Sequence, residues 1–86
     1  MIKVTCFGHI KTSVGKETVE IAADSIRTSA LIEAVREMGR NDPNLGFTKY
    51  NTLVIVNGRS AYTGASDDRT IEDGDEVLLL PFSHGG

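Results

Sequence analysis

Cysteine, histidine and basic charge are all scarce in this 86-residue sequence. Its single thiol, Cys6, excludes an internal disulfide. Its two histidines, His9 and His84, stand near opposite ends. With them no nucleophile, base and orienting group can be assembled, and a zinc site lacks ligands. An enzyme acting alone is therefore not expected, and no metal ligands are assigned. Nine Lys and Arg against twelve Asp and Glu leave a net charge of −3 and a pI near 5.2. A nucleic-acid binder would carry a basic stripe, so partners with basic surfaces are favoured instead. No apolar run approaches the roughly 20 residues that span a bilayer, and nothing at the start resembles a signal peptide. A cytoplasmic protein without membrane contact is expected. Repeats and low-complexity segments are also lacking. A chain of this length makes one domain that buries about 60 to 65% of its unfolded surface, enough for one small core and no deep cleft.

The elements follow from periodicity. Ile2, Val4 and Cys6 alternate with Lys3, Thr5 and Phe7, which predicts a strand. Gly8 interrupts it, and the segment from His9 to Lys16 reads as a long turn. Residues 17 to 22 alternate again and complete an antiparallel hairpin. Ala23, Asp24 and Ser25 are polar punctuation. Leu31, Ala34, Val35 and Met38 then recur at helical spacing, which predicts a helix over 28 to 39, capped by Thr28 or Ser29 and closed by a left-handed Gly39. Residues 40 to 51 are a loop expected to be pinned by Leu45, Phe47 and Tyr50. Residues 53 to 56 form a strand ended by the turn signal Asn57-Gly58, with a short strand near Ser60 to follow. Ile71 is the one apolar anchor before the turn at Asp73-Gly74-Asp75.

The last stretch organises the rest. Val77-Leu78-Leu79-Leu80 reads as a central strand with both faces covered. Pro81 ends it, having no amide hydrogen for a ladder. Beyond Pro81 nothing is periodic, and Gly85 and Gly86 have no side chains to pack, so a β-grasp domain over 1–82 and a mobile tail over 83–86 are expected. Terminal residues most often simply fray. A thin glycine end nevertheless suits a narrow channel in another protein, where the reacting group would be the carboxylate of Gly86, ionised at neutral pH. The order of strand, strand, helix, strand, short strand and strand predicts an α+β fold. It is a mixed sheet of four to five strands with one main helix on one face and with the first and last strands as parallel neighbours, which is the β-grasp or ubiquitin-like arrangement.

Met1-Ile2-Lys3-Val4 with Phe7, Val14-Gly15-Lys16, Val56-Asn57-Gly58, Asp73-Gly74-Asp75-Glu76-Val77 and Leu80-Pro81 ending in Gly85-Gly86 together resemble the MoaD and ThiS sulfur carriers. Among these the pattern is most similar to the small subunit of molybdopterin synthase. The resemblance implies a non-catalytic carrier with no bound cofactor. A ubiquitin-activating-type enzyme uses ATP to adenylate Gly86, a persulfide-derived sulfur displaces AMP, and the thiocarboxylate gives its sulfur to a pterin in the molybdopterin synthase large subunit. Archaeal ubiquitin-like modifiers share the fold and the ending, so conjugation to lysines of target proteins is the alternative. Two positions depart from the carrier pattern: Phe82 stands where a second proline is usual, and His84 where a small residue is.

Strand parity also predicts a surface. If Val4, Val77 and Leu79 face the helix, then Phe7, Ile55, Leu78 and Leu80 share the helix-free face with Leu53, making an apolar patch that Lys3 and Arg59 can rim. With Phe82 these are the expected partner-binding residues, and His84 and Gly85 belong to the reacting tail. Cys6, on the inward face, reads as a small buried hydrophobe. The acidic group Asp67, Asp68, Glu72, Asp73, Asp75 and Glu76 lacks the spacing of a calcium loop and reads as a solvated turn surface.

Overall fold

The computed structural model describes residues 1–39, 47–48, 50–63 and 68–81. The expectations for Leu45, Asp67, Phe82, His84, Gly85 and Gly86, and for a boundary between 82 and 83, lie outside the described residues.

Alternation along the first residues gives β1 (Ile2–Cys6), with Ile2, Val4 and Cys6 buried as parity requires. The segment that reads as a long turn is instead a helix, α1 (Gly8–Val14). Its two framing glycines conceal a helical repeat of Ile10, Ser13 and Val14. Burial of Ile10 is worth about 1.5 to 3 kcal/mol and explains why so short a helix holds. The hairpin partner is β2 (Thr18–Ile21), antiparallel to β1 with Val4 opposite Val19.

Ala23 and Asp24 lie outside any strand as the punctuation predicts, but Ser25 opens a three-residue strand, β3 (Ser25–Arg27). Next come α2 (Thr28–Met38), β4 (Thr52–Val56), β5 (Ser60–Thr63), β6 (Thr70–Glu72) and β7 (Glu76–Pro81). The main sheet runs β2-β1-β7-β4-β5, in which β1 and β7 are parallel and the other neighbours antiparallel. β3 and β6 form a second, two-stranded sheet with Ile26 opposite Ile71. Three-residue strands carry too few positions to show a period, which is why this pair is not visible in the sequence. The turn between β4 and β5 has positive φ at Asn57 (53°) and Gly58 (66°), with the Arg59 N–H donating to the Val56 carbonyl, as the Asn-Gly signal predicts.

One core joins Ile2, Val4, Cys6, Val54, Val77 and Leu79 from the sheet to Ile10 of α1 and to Leu31, Ile32 and Val35 of α2. The helical stripe is rotated from the expected one. Ile32 is fully buried, Ala34 and Val56 are only partly so, and Met38 is 45% exposed. The spacing of three and four fits both stripes, and Thr28 decides between them. Its buried hydroxyl donates to Asp68 Oδ1 and accepts from the Arg69 N–H, each at 3.1 Å, so the first turn is held with Thr28 inward. Arg27, in extended conformation, is the N-cap residue and makes no side-chain cap, so neither Thr28 nor Ser29 caps the helix as expected. Asp68 does so from a distant loop, accepting from the Ser29 N–H and Oγ at 3.1 Å.

Gly39 is extended, not left-handed, at φ −82° and ψ 176°. Its need for glycine is proximity, since an added Cβ would stand 2.9 Å from the Ser13 carbonyl oxygen at the end of α1. Of the loop anchors, Phe47 is buried as expected, whereas Tyr50 is 66% exposed.

The hydrogen bond from the Ser29 N–H, followed by those from Thr28 and Ser29 and the charge of Arg27, holds the Asp68 carboxyl below its ordinary value of 3.8. A carboxylate with a depressed folded-state pKa stabilises the fold above its unfolded value and loses that contribution as pH falls through the folded value. Asp68→Asn is therefore expected to lower the melting temperature at pH 7, and the gap to the unsubstituted protein to narrow as pH falls below 3.8. A gap independent of pH would show that the negative charge contributes nothing.

Candidate functional site

The sheet delivers β7 at its centre, so the chain beyond Pro81 departs from the middle of the molecule, between β1 and β4. The faces of β7 differ. Val77 and Leu79 are buried under the helices, while Leu78 and Leu80 point to the other face and are half-buried. That corrects the expectation of a strand covered on both sides.

On the helix-free face the register sets Thr5, Leu78 and Ile55 in one row and Leu80 beside Leu53 in the next. Neighbouring strands are about 4.8 Å apart, so these side chains adjoin. Leu53, Ile55, Leu78 and Leu80 are all half-buried, so they shield one another and form a band flatter than an array of free apolar groups. Phe7 is 39% exposed, and its N–H donates to the Leu79 carbonyl at 3.0 Å, which places it abreast of Leu80 at the end of the band. Phe7, Ile55, Leu78 and Leu80 thus come together as parity predicts. Lys3 lies at the other end, across from Glu20 on one side and Glu76 on the other.

The acidic residues do specific structural work. Asp68 caps α2. The Asp73 carboxyl accepts a hydrogen bond from the Met1 ammonium, and that bond and its charge hold the carboxyl below its ordinary value. Asp75 accepts from the Glu72 N–H at 2.9 Å and from Asn57 Nδ2 at 3.1 Å, and Asn57 Oδ1 in turn accepts from the Glu76 N–H at 2.9 Å. This ties the β4–β5 turn to the start of β7. The Asx turn chemistry of Asp73-Gly74-Asp75 is a signal that points to this role. Asp73, Asp75 and Glu76 lie at the start of β7, about 16 Å from Pro81 at the ordinary rise per residue. Among the described residues no group of three or more His, Cys, Asp and Glu could hold a metal ion. No helix there is long and apolar enough to cross a membrane.

The ThiS family profile matches residues 4–86. The chain belongs to the ThiS family. Its β-grasp fold recurs in solved structures that share little sequence with this ThiS-family chain. A chain of the Amycolatopsis orientalis BexX/CysO complex is 18% identical with a TM-score of 0.67, covering 100% of both chains. Small archaeal modifier protein 1 of Haloferax volcanii is 17% identical with a TM-score of 0.65, over 95% of this chain and 97% of that one. A putative molybdopterin converting factor subunit 1 from Pyrococcus furiosus is 21% identical with a TM-score of 0.62, over the same shares. The chain matches no curated protein sequence. The family is one of ubiquitin-like sulfur carriers and modifiers.

Cys6 is the one thiol of this ThiS-family chain, and it is fully buried in β1. Burial pushes its pKa above the ordinary 9.0, which lowers the thiolate fraction needed for sulfur chemistry. At pH 8 the folded protein is expected to resist alkylation for as long as the same protein in urea takes to label completely. Rapid labelling of the folded form would place Cys6 within reach of a sulfur donor.

Proposed function

We propose that this protein is a sulfur carrier whose Gly86 carboxylate is adenylated by a ubiquitin-activating-type enzyme and converted to a thiocarboxylate that supplies sulfur for molybdopterin synthesis. The observation that supports this most is the family match, which extends through the Gly85-Gly86 ending. The chain itself supplies no catalytic group. A carboxylate oxygen of Gly86 attacks the α-phosphorus of ATP and pyrophosphate leaves. The terminal sulfur of a persulfide then attacks the acyl carbon and expels AMP, and a second thiol cleaves the resulting acyl disulfide to release the thiocarboxylate. ATP belongs to the partner enzyme, and nothing is bound by the carrier.

The apolar band offers the docking surface for that enzyme and for the synthase large subunit, and Phe82, His84 and Gly85, which follow it in the sequence, are the further residues assigned to partner binding and to the reacting tail. Leu80 is the natural anchor because it stands where the strand gives way to the reacting segment. The second reading, isopeptide bonds from Gly86 to lysines of target proteins, uses the same carboxylate and is supported by the fold shared with the archaeal modifier protein. Conjugate ladders in place of a thiocarboxylate would favour it.

The test is pyrophosphate exchange with the activating enzyme of the source organism. Removing Gly86 withdraws the carboxylate by up to about 3.5 Å, beyond the near-attack range, where even 1 Å of misplacement costs about 100-fold. Exchange is expected to collapse without a change in melting temperature. Leu80→Glu is expected to leave the protein folded and to weaken binding to the enzyme by at least about 2 kcal/mol, roughly 30-fold in Kd. Exchange by the shortened chain at the full-length rate would refute the carrier reading, and unchanged affinity of folded Leu80→Glu would remove the band from it.

A further inference from the structure

The end of β7 is held differently on its two sides. Toward β4 the pairing continues to the last residue, with Thr52 opposite Pro81. Thr52 is buried, and its hydroxyl donates to the Thr48 carbonyl at 2.7 Å. Toward β1 the last pair is Cys6 with Leu79, and the Phe7 N–H closes the ladder on the Leu79 carbonyl. The chain then turns from the extended Phe7 into α1 through Gly8 at φ 58°. Pro81 has no N–H with which to extend the ladder. What meets its ring on this flank is Gly8, where an added Cβ would stand 2.8 Å from Pro81 Cγ and 3.3 Å from Cδ. A flexible side chain would swing away from such a contact. The pyrrolidine ring cannot, because it is closed onto the backbone nitrogen.

We propose that Gly8 is a positioning residue for the chemistry of the Gly86 carboxylate. Its missing Cβ lets Pro81 seat against the first turn of α1, and that seat fixes the direction in which the chain leaves the sheet toward the activating enzyme. The inference rests on the carrier reading and adds a residue that touches neither ATP nor the carboxylate. Restoring an ordinary contact of about 3.5 to 4.0 Å moves the ring by roughly 1 Å. The five residues that follow span at most about 17 Å, so the place and direction of their base set which points Gly86 can reach. Leu53, Ile55, Leu78 and Leu80 of the apolar band lie on β4 and on β7 before the seat, and Phe7 is held by its N–H on the Leu79 carbonyl, so most of the enzyme's grip on the carrier is kept. The effect falls on kcat and spares KM.

A double-mutant cycle in pyrophosphate exchange, with melting as the check on folding, tests this. Gly8→Ala and Gly8→Ala/Pro81→Ala bear the same backbone strain at position 8 and differ in the collision. With Pro81 in place, Gly8→Ala is expected to lower kcat at least about tenfold while KM stays within about threefold. With alanine at 81, the same substitution is expected to cost less than about threefold in kcat. Equal losses in both backgrounds would assign the effect to backbone strain and overturn the proposal. Should Gly8→Ala fail to fold, Pro81→Ala decides, because Pro81 is exposed and the substitution removes the seated ring while freeing φ and adding an N–H, all of which loosen the direction that the seat sets. A lower kcat at constant KM supports the seat, and an unchanged kcat overturns it. No exchange by the unsubstituted chain would refute the carrier reading and this proposal with it. Exchange by that chain with indifferent variants would refute the role of Gly8 alone.

Discussion

The parallel pairing of β1 with β7 is the constraint on which the rest of the molecule depends. Parallel neighbours cannot be joined by a tight turn, and here everything between residues 6 and 76 acts as the crossover. That connection lays α2 over one face of the sheet and, among the described residues, leaves the other without a helix. It also brings the ends of β1 and β7 to the same edge, where one chain enters α1 and the other departs past Pro81. The contact of Gly8 with Pro81 is therefore a product of topology, and the glycine is what makes so close an approach tolerable.

Along β7 the chemistry is divided by position. Its start is polar and serves folding, since Asp73, Asp75 and Asn57 spend their hydrogen bonds fixing the N-terminus and two turns. Its end is apolar on both faces, with Leu79 in the core and Leu80 in the half-buried band. The one thiol is withdrawn into the core, so in the proposed role the sulfur comes from another protein.

Strand parity made much of this legible. Period two in the first seven residues and the run from Val77 to Leu80 located both halves of the parallel pair, and from their phases followed the apolar band at Phe7, Ile55, Leu78 and Leu80. What stayed hidden depends on contacts between distant segments. The rotation of α2, with Ile32 inward and Met38 outward, is set by Thr28 and Asp68, which are 40 residues apart. The pairing of β3 with β6 has the same character. In α1 the local signal misled, because glycines at both ends mark a turn when read singly and here bound a helix anchored by Ile10. Gly39 likewise looks like a helix terminator, and its position is dictated by the Ser13 carbonyl of another helix.

The measurement that bears most directly on the carrier role is the intact mass of the protein isolated from its native host, followed by fragmentation. A fraction of the chains should be heavier by the exchange of one oxygen for one sulfur, with the change confined to the fragment that contains Gly86. Extra sulfur found on Cys6, or a free carboxylate on every chain while the cells are making molybdopterin, would contradict it.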